Sequence, residues 1–354
     1  MVYYLRMFTY LIFEIASWVI GLVALTVLFL HIAKYTAIRT FIKKPGTYIP
    51  VIFFVIALFA GLIANRTYPP DFAMPPFMRS HAPGGVSASL PFGKIAQFFV
   101  NKDNFAQVEN IGADPNVVPH EPQAPDTDGI VRISLTAQEV VSEIAPGIYF
   151  NFWTYNKQIP GPMLRVREGD TIELSLTNDK TSLHNHNIDL HAVTGSGGGA
   201  TLTNVKPGET KIFRWKALNP GLYIYHCATP NISTHNSHGQ YGLIMVDPKD
   251  EKLALSKVDK EFYITQGEYY TVGQLGKKGL VAFDSQALLD GIPNYVIFNG
   301  RVENAPRIHA NVGDRIRMYV GNGGVNLISS FHVIGEIFDN VYPNGAIGKG
   351  SAIE

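Results

Sequence analysis

The chain has 354 residues with 29 basic and 29 acidic side chains, a formal net charge of zero, and only 16% charged residues. No basic run is interleaved with aromatics, so nothing marks a nucleic-acid surface. A single cysteine excludes an intrachain disulfide, so cysteine usage names no redox compartment and that thiol has to be judged by its neighbours.

Residues 10–32 are almost continuously apolar, with Glu14 the one acid, and residues 48–64 run without a charge. Each approaches the ~20 residues needed to cross a bilayer, which predicts a transmembrane helical hairpin over 1–66. Lys34, Arg39, Lys43 and Lys44 lie between the two stretches, and the positive-inside rule places that loop in the cytoplasm. Both chain ends would then be outside, with everything after about Asn65 in the periplasm of a bacterium. A cleaved signal peptide followed by a buried helix is the alternative, although a double span lacks its single short apolar core. Glu14 reads either as a solvated or paired acid near the membrane surface or as part of a quinol pocket between helices.

Residues 67–128 are rich in proline, with Pro69-Pro70, Pro75-Pro76, Pro83, Pro119 and Pro122, and read as a linker. From Ile130 short alternating runs begin, among them Val131-Arg132-Ile133-Ser134-Leu135 and Thr171-Ile172-Glu173-Leu174-Ser175-Leu176. This pattern predicts an antiparallel β-sandwich with one solvated face. Arg165-Val166-Arg167-Glu168-Gly169-Asp170-Thr171-Ile172 recurs in outline as His309-Ala310-Asn311-Val312-Gly313-Asp314-Arg315-Ile316. The echo suggests two sandwich domains, 129–250 and 251–354, the second apparently unfinished at its C-terminal end.

The chemistry concentrates in two short segments. Gly221-Leu222-Tyr223-Ile224-Tyr225-His226-Cys227 reads as a strand, so His226 and Cys227 point to opposite faces while sharing one peptide link. His186 and His191 are five apart in Asn185-His186-Asn187-Ile188-Asp189-Leu190-His191, and if that stretch is extended they also face opposite ways. The economical pairing joins His186 to Cys227 and His191 to His226. His235, eight residues after the cysteine, completes a set of two imidazoles and a thiolate, the donor set of an electron-transfer copper centre. His191 and His226 form an imidazole-only site that leaves positions open for water or substrate. Asp189 shares the face of His191, where a carboxylate could hold a metal-bound oxygen and hand it a proton; taken alone it reads as an edge-strand aspartate.

These motifs resemble the two-domain copper-containing nitrite reductases, which carry His-Asn-Ile-Asp-x-His, a glycine-rich loop, and Gly-Leu-Tyr-Ile-Tyr-His-Cys-Ala. The likeness runs from about Ile130 to the end, through Ser196-Gly197-Gly198-Gly199-Ala200, Tyr241-Gly242-Leu243-Ile244-Met245-Val246, Met318-Tyr319-Val320-Gly321-Asn322-Gly323-Gly324 and Ser330-Phe331-His332-Val333-Ile334-Gly335-Glu336. It implies a mainly β chain of two cupredoxin-like Greek-key domains. It implies His186, Cys227 and His235 as type 1 copper ligands, His191 and His226 as type 2 ligands, and Asp189 with His332 as the proton-delivering pair. The implied reaction is one-electron reduction of nitrite to nitric oxide.

Two departures stand out. The family's axial methionine is here Gln240, an accepted axial ligand whose harder oxygen should lower the potential and suit a quinol donor. Gln240 could instead cap a loop beside a three-coordinate copper, and His238 could distort the site. The family's third type 2 histidine comes from an adjacent subunit, which implies a homotrimer; no histidine follows His332, and His309 does not match that motif. The chain is therefore expected to be truncated. A multicopper oxidase would need several His-x-His pairs and a His-Cys-His strand, whereas Cys227 precedes Ala228 and only His184-Asn185-His186 has the pair spacing. A non-catalytic, membrane-anchored cupredoxin relay would need no type 2 copper, so copper content separates it from a reductase.

Overall fold

The computed structural model describes residues 2–32, 45–67, 103, 105–195, 197–271, 279–302 and 307–347. The basic loop holding Lys34, Arg39, Lys43 and Lys44, the proline-rich stretch 68–102 and residues 348–354 lie outside these, as does Ser196. The chain divides into a helical unit and a β unit that holds everything from Gln97 onward.

In the helical unit, α1 (Val2–Ile32) and α2 (Pro45–Thr67) meet through small residues. Ser17 Oγ donates to Ala57 O at 2.8 Å, and Ala24, Ala57 and Ala60 are buried. Large side chains such as Leu22, Phe29, Ile52 and Phe59 face outward. Among the described residues no helix is long and apolar enough to cross a membrane. The Glu14 side chain lies outside the described side chains.

The β unit is built from three sheets. The first has the order β11 (Gly279–Leu280), β3 (Ile148–Tyr155), β2 (Ile130–Ala145), β5 (Thr171–Asn178), β7 (Thr210–Lys216), with β1 (Ala106–Val108) also paired to β2. The second is β4 (Leu164–Arg167), β9 (Tyr241–Asp247), β8 (Gly221–His226), β6 (Asp189–Leu190). The third is β12 (Tyr295–Phe298), β10 (Lys260–Tyr269), β13 (Ile316–Asn322).

β5 alternates between buried and half-buried, as its sequence pattern requires, and sends Ile172, Leu174 and Leu176 into a core shared with Val131, Ile133, Tyr223, Tyr225, Ile244 and Val246. Sheets one and two are thereby the layers of a sandwich. Leu174→Ala empties fully buried volume there and is expected to cost about 2–5 kcal/mol in urea unfolding. β9 is buried on nearly every residue because Leu243 and Met245, on its other face, pack on Tyr263 and Tyr319 of the third sheet. Covered on both sides, it reads as a continuous apolar run.

The pairing is mixed rather than antiparallel throughout: β2 with β5, β1 with β2, β4 with β9 and β10 with β13 run parallel. Greek-key connections that change sheets between partners bring such strands back in the same direction, which alternation alone does not encode. The stretch 67–128, read from sequence as a linker, also yields a strand, β1. The internal echo has a local basis. Asp170 Oδ2 accepts from Arg167 N at 2.8 Å and Asp314 Oδ2 from Asn311 N at 2.7 Å, and Gly169 and Gly313 have φ of 94° and 96°. Each turn feeds a strand lying parallel to the strand that opens its half, β5 on β2 and β13 on β10. Among the described residues, 251–347 supplies the third sheet and the edge strand β11, and the third sheet packs against β9.

Candidate metal centres

β8 ends at His226, and the alternation it sets up carries one residue further: Tyr225 is buried in the core, His226 is half-buried on the opposite face, and Cys227 is fully buried. The segment from His186 to His191 is only partly strand. His186 exchanges backbone bonds with Val205 at 3.1 and 2.8 Å, and β6 begins only at Asp189, opposite His226 in register. The two histidines nevertheless fall in different donor groups.

His186, Cys227 and His235 form one buried group whose donor atoms lie within 4.8 Å of one another. His235 sits on a short helix, α3 (Ile232–Ser237), rather than a plain loop. Cys227 Sγ is 3.2 Å from His235 Nδ1 and receives the Asn187 N–H at 3.4 Å. Gln240, fully buried, places Oε1 3.3 Å from the same His235 Nδ1, and its Nε2 has no partner among the described residues. Neither ring nitrogen of His186 has a hydrogen-bond partner there either. An unpaired buried imidazole nitrogen is costly, and a metal ion would satisfy His186 Nδ1. Burial pushes the His186 and His235 imidazoles down towards the neutral, ligating form and the Cys227 thiol up to about 11. Ligation would therefore expel a proton from the thiol.

Asp189, His191 and His226 form the second group, again within 4.8 Å. His191 is exposed, and its Nε2 meets His226 Nε2 at 3.0 Å, so both ring nitrogens converge on one point. His226 Nδ1 lies 3.1 Å from the Cys227 carbonyl oxygen. An Nδ1–H donated there leaves Nε2 as the lone pair for a metal, the usual outer-shell arrangement of a ligating histidine. The donor types and the open side fit a catalytic copper, and the buried thiolate set fits an electron-transfer one.

His332 stands apart. It is exposed on the irregular stretch after β13 and is not part of either donor group in the chain. His238 also stays out of the donor groups: it stacks between Trp153 and Phe150, with Nδ1 2.7 Å from Thr234 O, and burial pushes it down to about 3.

Two residues not singled out from the sequence support the first group. Glu139, fully buried on β2, accepts from Leu183 N at 2.7 Å, His184 N at 2.8 Å and the His184 ring at 2.9 Å, and lies 3.7 Å from His186 Nε2. Burial alone would raise its carboxyl, but His184 and His186 beside it hold it below the usual carboxylate range. A lone acid between Gln138 and the apolar Val140-Val141 was the available signal. Asn187 Oδ1 accepts the Ala228 N–H at 2.7 Å and so ties the two chemical segments together.

A Greek-key sandwich that holds a buried His-Cys-His group one residue away from a second imidazole pair is a cupredoxin-type copper protein. A family model described as multicopper oxidase matches residues 137–251. The copper-containing nitrite reductase of Neisseria meningitidis serogroup A is 48% identical over 239 residues, covering 65% of this chain. The chain spans 61% of that relative's length. The copper-containing nitrite reductase of Rhizobium meliloti is 31% identical over 282 residues, 74% of either chain. The solved copper nitrite reductase from Nitrosomonas europaea superposes with a TM-score of 0.54 at 36% identity, over 61% of this chain and 76% of that one. The chain belongs to the family of copper-containing nitrite reductases.

Proposed function

We propose that this chain reduces nitrite to nitric oxide with one electron and two protons, releasing water. The observation that carries the reading is the single peptide link between Cys227 and His226, one in each donor group. His186, Cys227, His235 and Gln240 would hold a type 1 copper, and His191 and His226 a type 2 copper with a third histidine from an adjacent subunit, a residue that does not occur after His332 in this sequence. Bound copper supplies electron storage at the first group and Lewis acidity at the second. Asp189 presents its carboxylate beside the imidazole pair and would hold the proton destined for the departing nitrite oxygen. The fixed backbone between His226 and Cys227 keeps the two groups at a short, constant separation.

The wider setting is part of the same proposal: a homotrimer on the periplasmic side of the inner membrane, anchored by the helical hairpin and fed from the quinol pool. The outward-facing apolar side chains of α1 and α2 favour the anchor. The stretch bearing His332 favours the trimer, because Ile328, Ile334 and Ile337 are 92%, 89% and 96% exposed and call for cover by another copy. His332 would then serve a neighbouring site.

The test is nitrite turnover by the purified full chain in detergent, with a reduced quinol and no soluble donor, beside copper analysis. Nitric oxide and two copper ions per complete subunit are expected. One copper per complete subunit and no nitric oxide would make it an electron relay, and activity only with a soluble donor would reduce the hairpin to a tether. Gln240→Met should raise the type 1 potential in a redox titration, since a thioether stabilises oxidised copper less than an amide oxygen. An unchanged potential would remove Gln240 from the ligand set.

A further inference from the structure

We infer that Gly198 is the positioning residue for the Asp189 carboxylate, an inference that rests on the proton-delivering role proposed for Asp189. β6, which carries Asp189, is only two residues long and is held from both sides. On one side Asp189 and Leu190 pair with His226 and Tyr225 of β8. On the other, the glycine-rich loop lies flat against it: Leu190 N donates to Gly198 O at 3.0 Å and Ile188 N to Thr203 Oγ1 at 3.1 Å. Thr203 Oγ1 in turn donates to Gly199 O at 2.9 Å.

This contact leaves no room for a side chain. A Cβ on Gly198 would collide with Asp189 Oδ1 and stand 2.7 Å from both the nitrogen and the oxygen of Leu190. The φ of Gly198 is also positive, at 45°. Nor can the loop retreat, because a Cβ on the next residue, Gly199, would lie 2.6 Å from the Phe213 ring, and Phe213 belongs to the sandwich core. The Gly198 backbone is thus a wall behind the carboxylate. That wall bounds one side of Asp189, whose carboxylate shares a 4.8 Å cluster with His191 and His226. Positioning of this kind matters because small displacements of a reacting group cost large factors in rate.

The experiment is Gly198→Ala in the full chain, with Gly195→Ala as control. Gly195 lies in the same loop with φ of 141° and nothing within 4 Å of an added Cβ, so it reports backbone strain alone. Gly198→Ala should lower kcat by roughly ten- to a hundredfold, move the acid limb of the pH profile, and shift the type 2 copper EPR signal at unchanged copper content. Gly195→Ala should do none of these. In an Asp189→Ala background the same Gly198→Ala change should add nothing to the loss and no EPR shift, the non-additivity expected of residues that act through one another. An equal loss in both backgrounds, or no shift in the EPR signal, overturns the inference.

If Asp189→Ala alone keeps full turnover, the proton-delivering role fails, while the EPR shift still decides whether Gly198 positions the carboxylate. Should Gly198→Ala fail to fold, Asp189→Glu asks the same question with the wall intact. The extra methylene has to be taken up towards the histidines, so the EPR signal shifts; an unchanged signal and kcat would mean that no wall exists.

Discussion

Cys227→Ala is expected to abolish nitrite reduction with any electron donor, to remove the intense visible absorption of a copper–thiolate bond, and to leave one copper per complete subunit in place of two. The thiol is the only one in the sequence and is completely buried between His186 and His235. No other thiol can replace it. The neighbouring group keeps both its imidazoles and Asp189, so it should still load with metal. Alanine removes one sulfur from a packed site and should cost only about 1 kcal/mol in stability, which separates loss of function from loss of fold. Visible spectra, copper analysis and urea unfolding of the same preparation make the comparison. Retention of the visible band, or of two copper ions per complete subunit, would dissolve the type 1 assignment and with it the meaning of the Cys227–His226 link.

The part of this site legible in the sequence was the part fixed by strand periodicity. Adjacent residues at the end of a strand face opposite ways whatever the tertiary context, so His226 and Cys227 could be assigned to separate groups before any fold was known. The His186 and His191 pair was less secure, since only Asp189 and Leu190 of that segment are strand. Their separation depends on bonds to Val205 and to β8, both distant in sequence.

What stayed hidden shares one cause. Parallel pairing, the burial of β9 on two faces, and the Glu139 carboxylate behind His184 all require knowing which distant segments meet, and a one-dimensional pattern does not record that. The glycine-rich loop is the clearest instance. In sequence it is a run of small residues with no phosphate-binding lysine after it, whereas in the fold its backbone presses on Asp189. His332 marks a different boundary: it is exposed and falls in neither donor group, so nothing in strand periodicity could place it.

Asp189→Asn gives the sharper test of the chemistry, because it changes a proton and almost nothing else. Asparagine has nearly the same volume, fits against Gly198, and can keep the backbone register of Asp189 with His226. It cannot hold and release a proton near neutral pH. If Asp189 supplies the proton that leaves with the nitrite oxygen, kcat should fall by about 10²–10⁴-fold, the usual span for removing a general acid. Copper content and the visible band of the first group should be unchanged, since Cys227 and its partners lie on the other face of the strand. The dependence of kcat on pH should lose the limb that reports this acid, so the variant's rate would follow bulk proton concentration more closely than the wild type's. A structural role predicts a different pattern: poorer copper retention, a raised KM and an unaltered pH profile. Steady-state kinetics across the pH range, normalised to bound copper, separate the two. Wild-type turnover by fully loaded Asp189→Asn would move proton delivery to another group and leave Asp189 as an edge-strand carboxylate that happens to border two histidines.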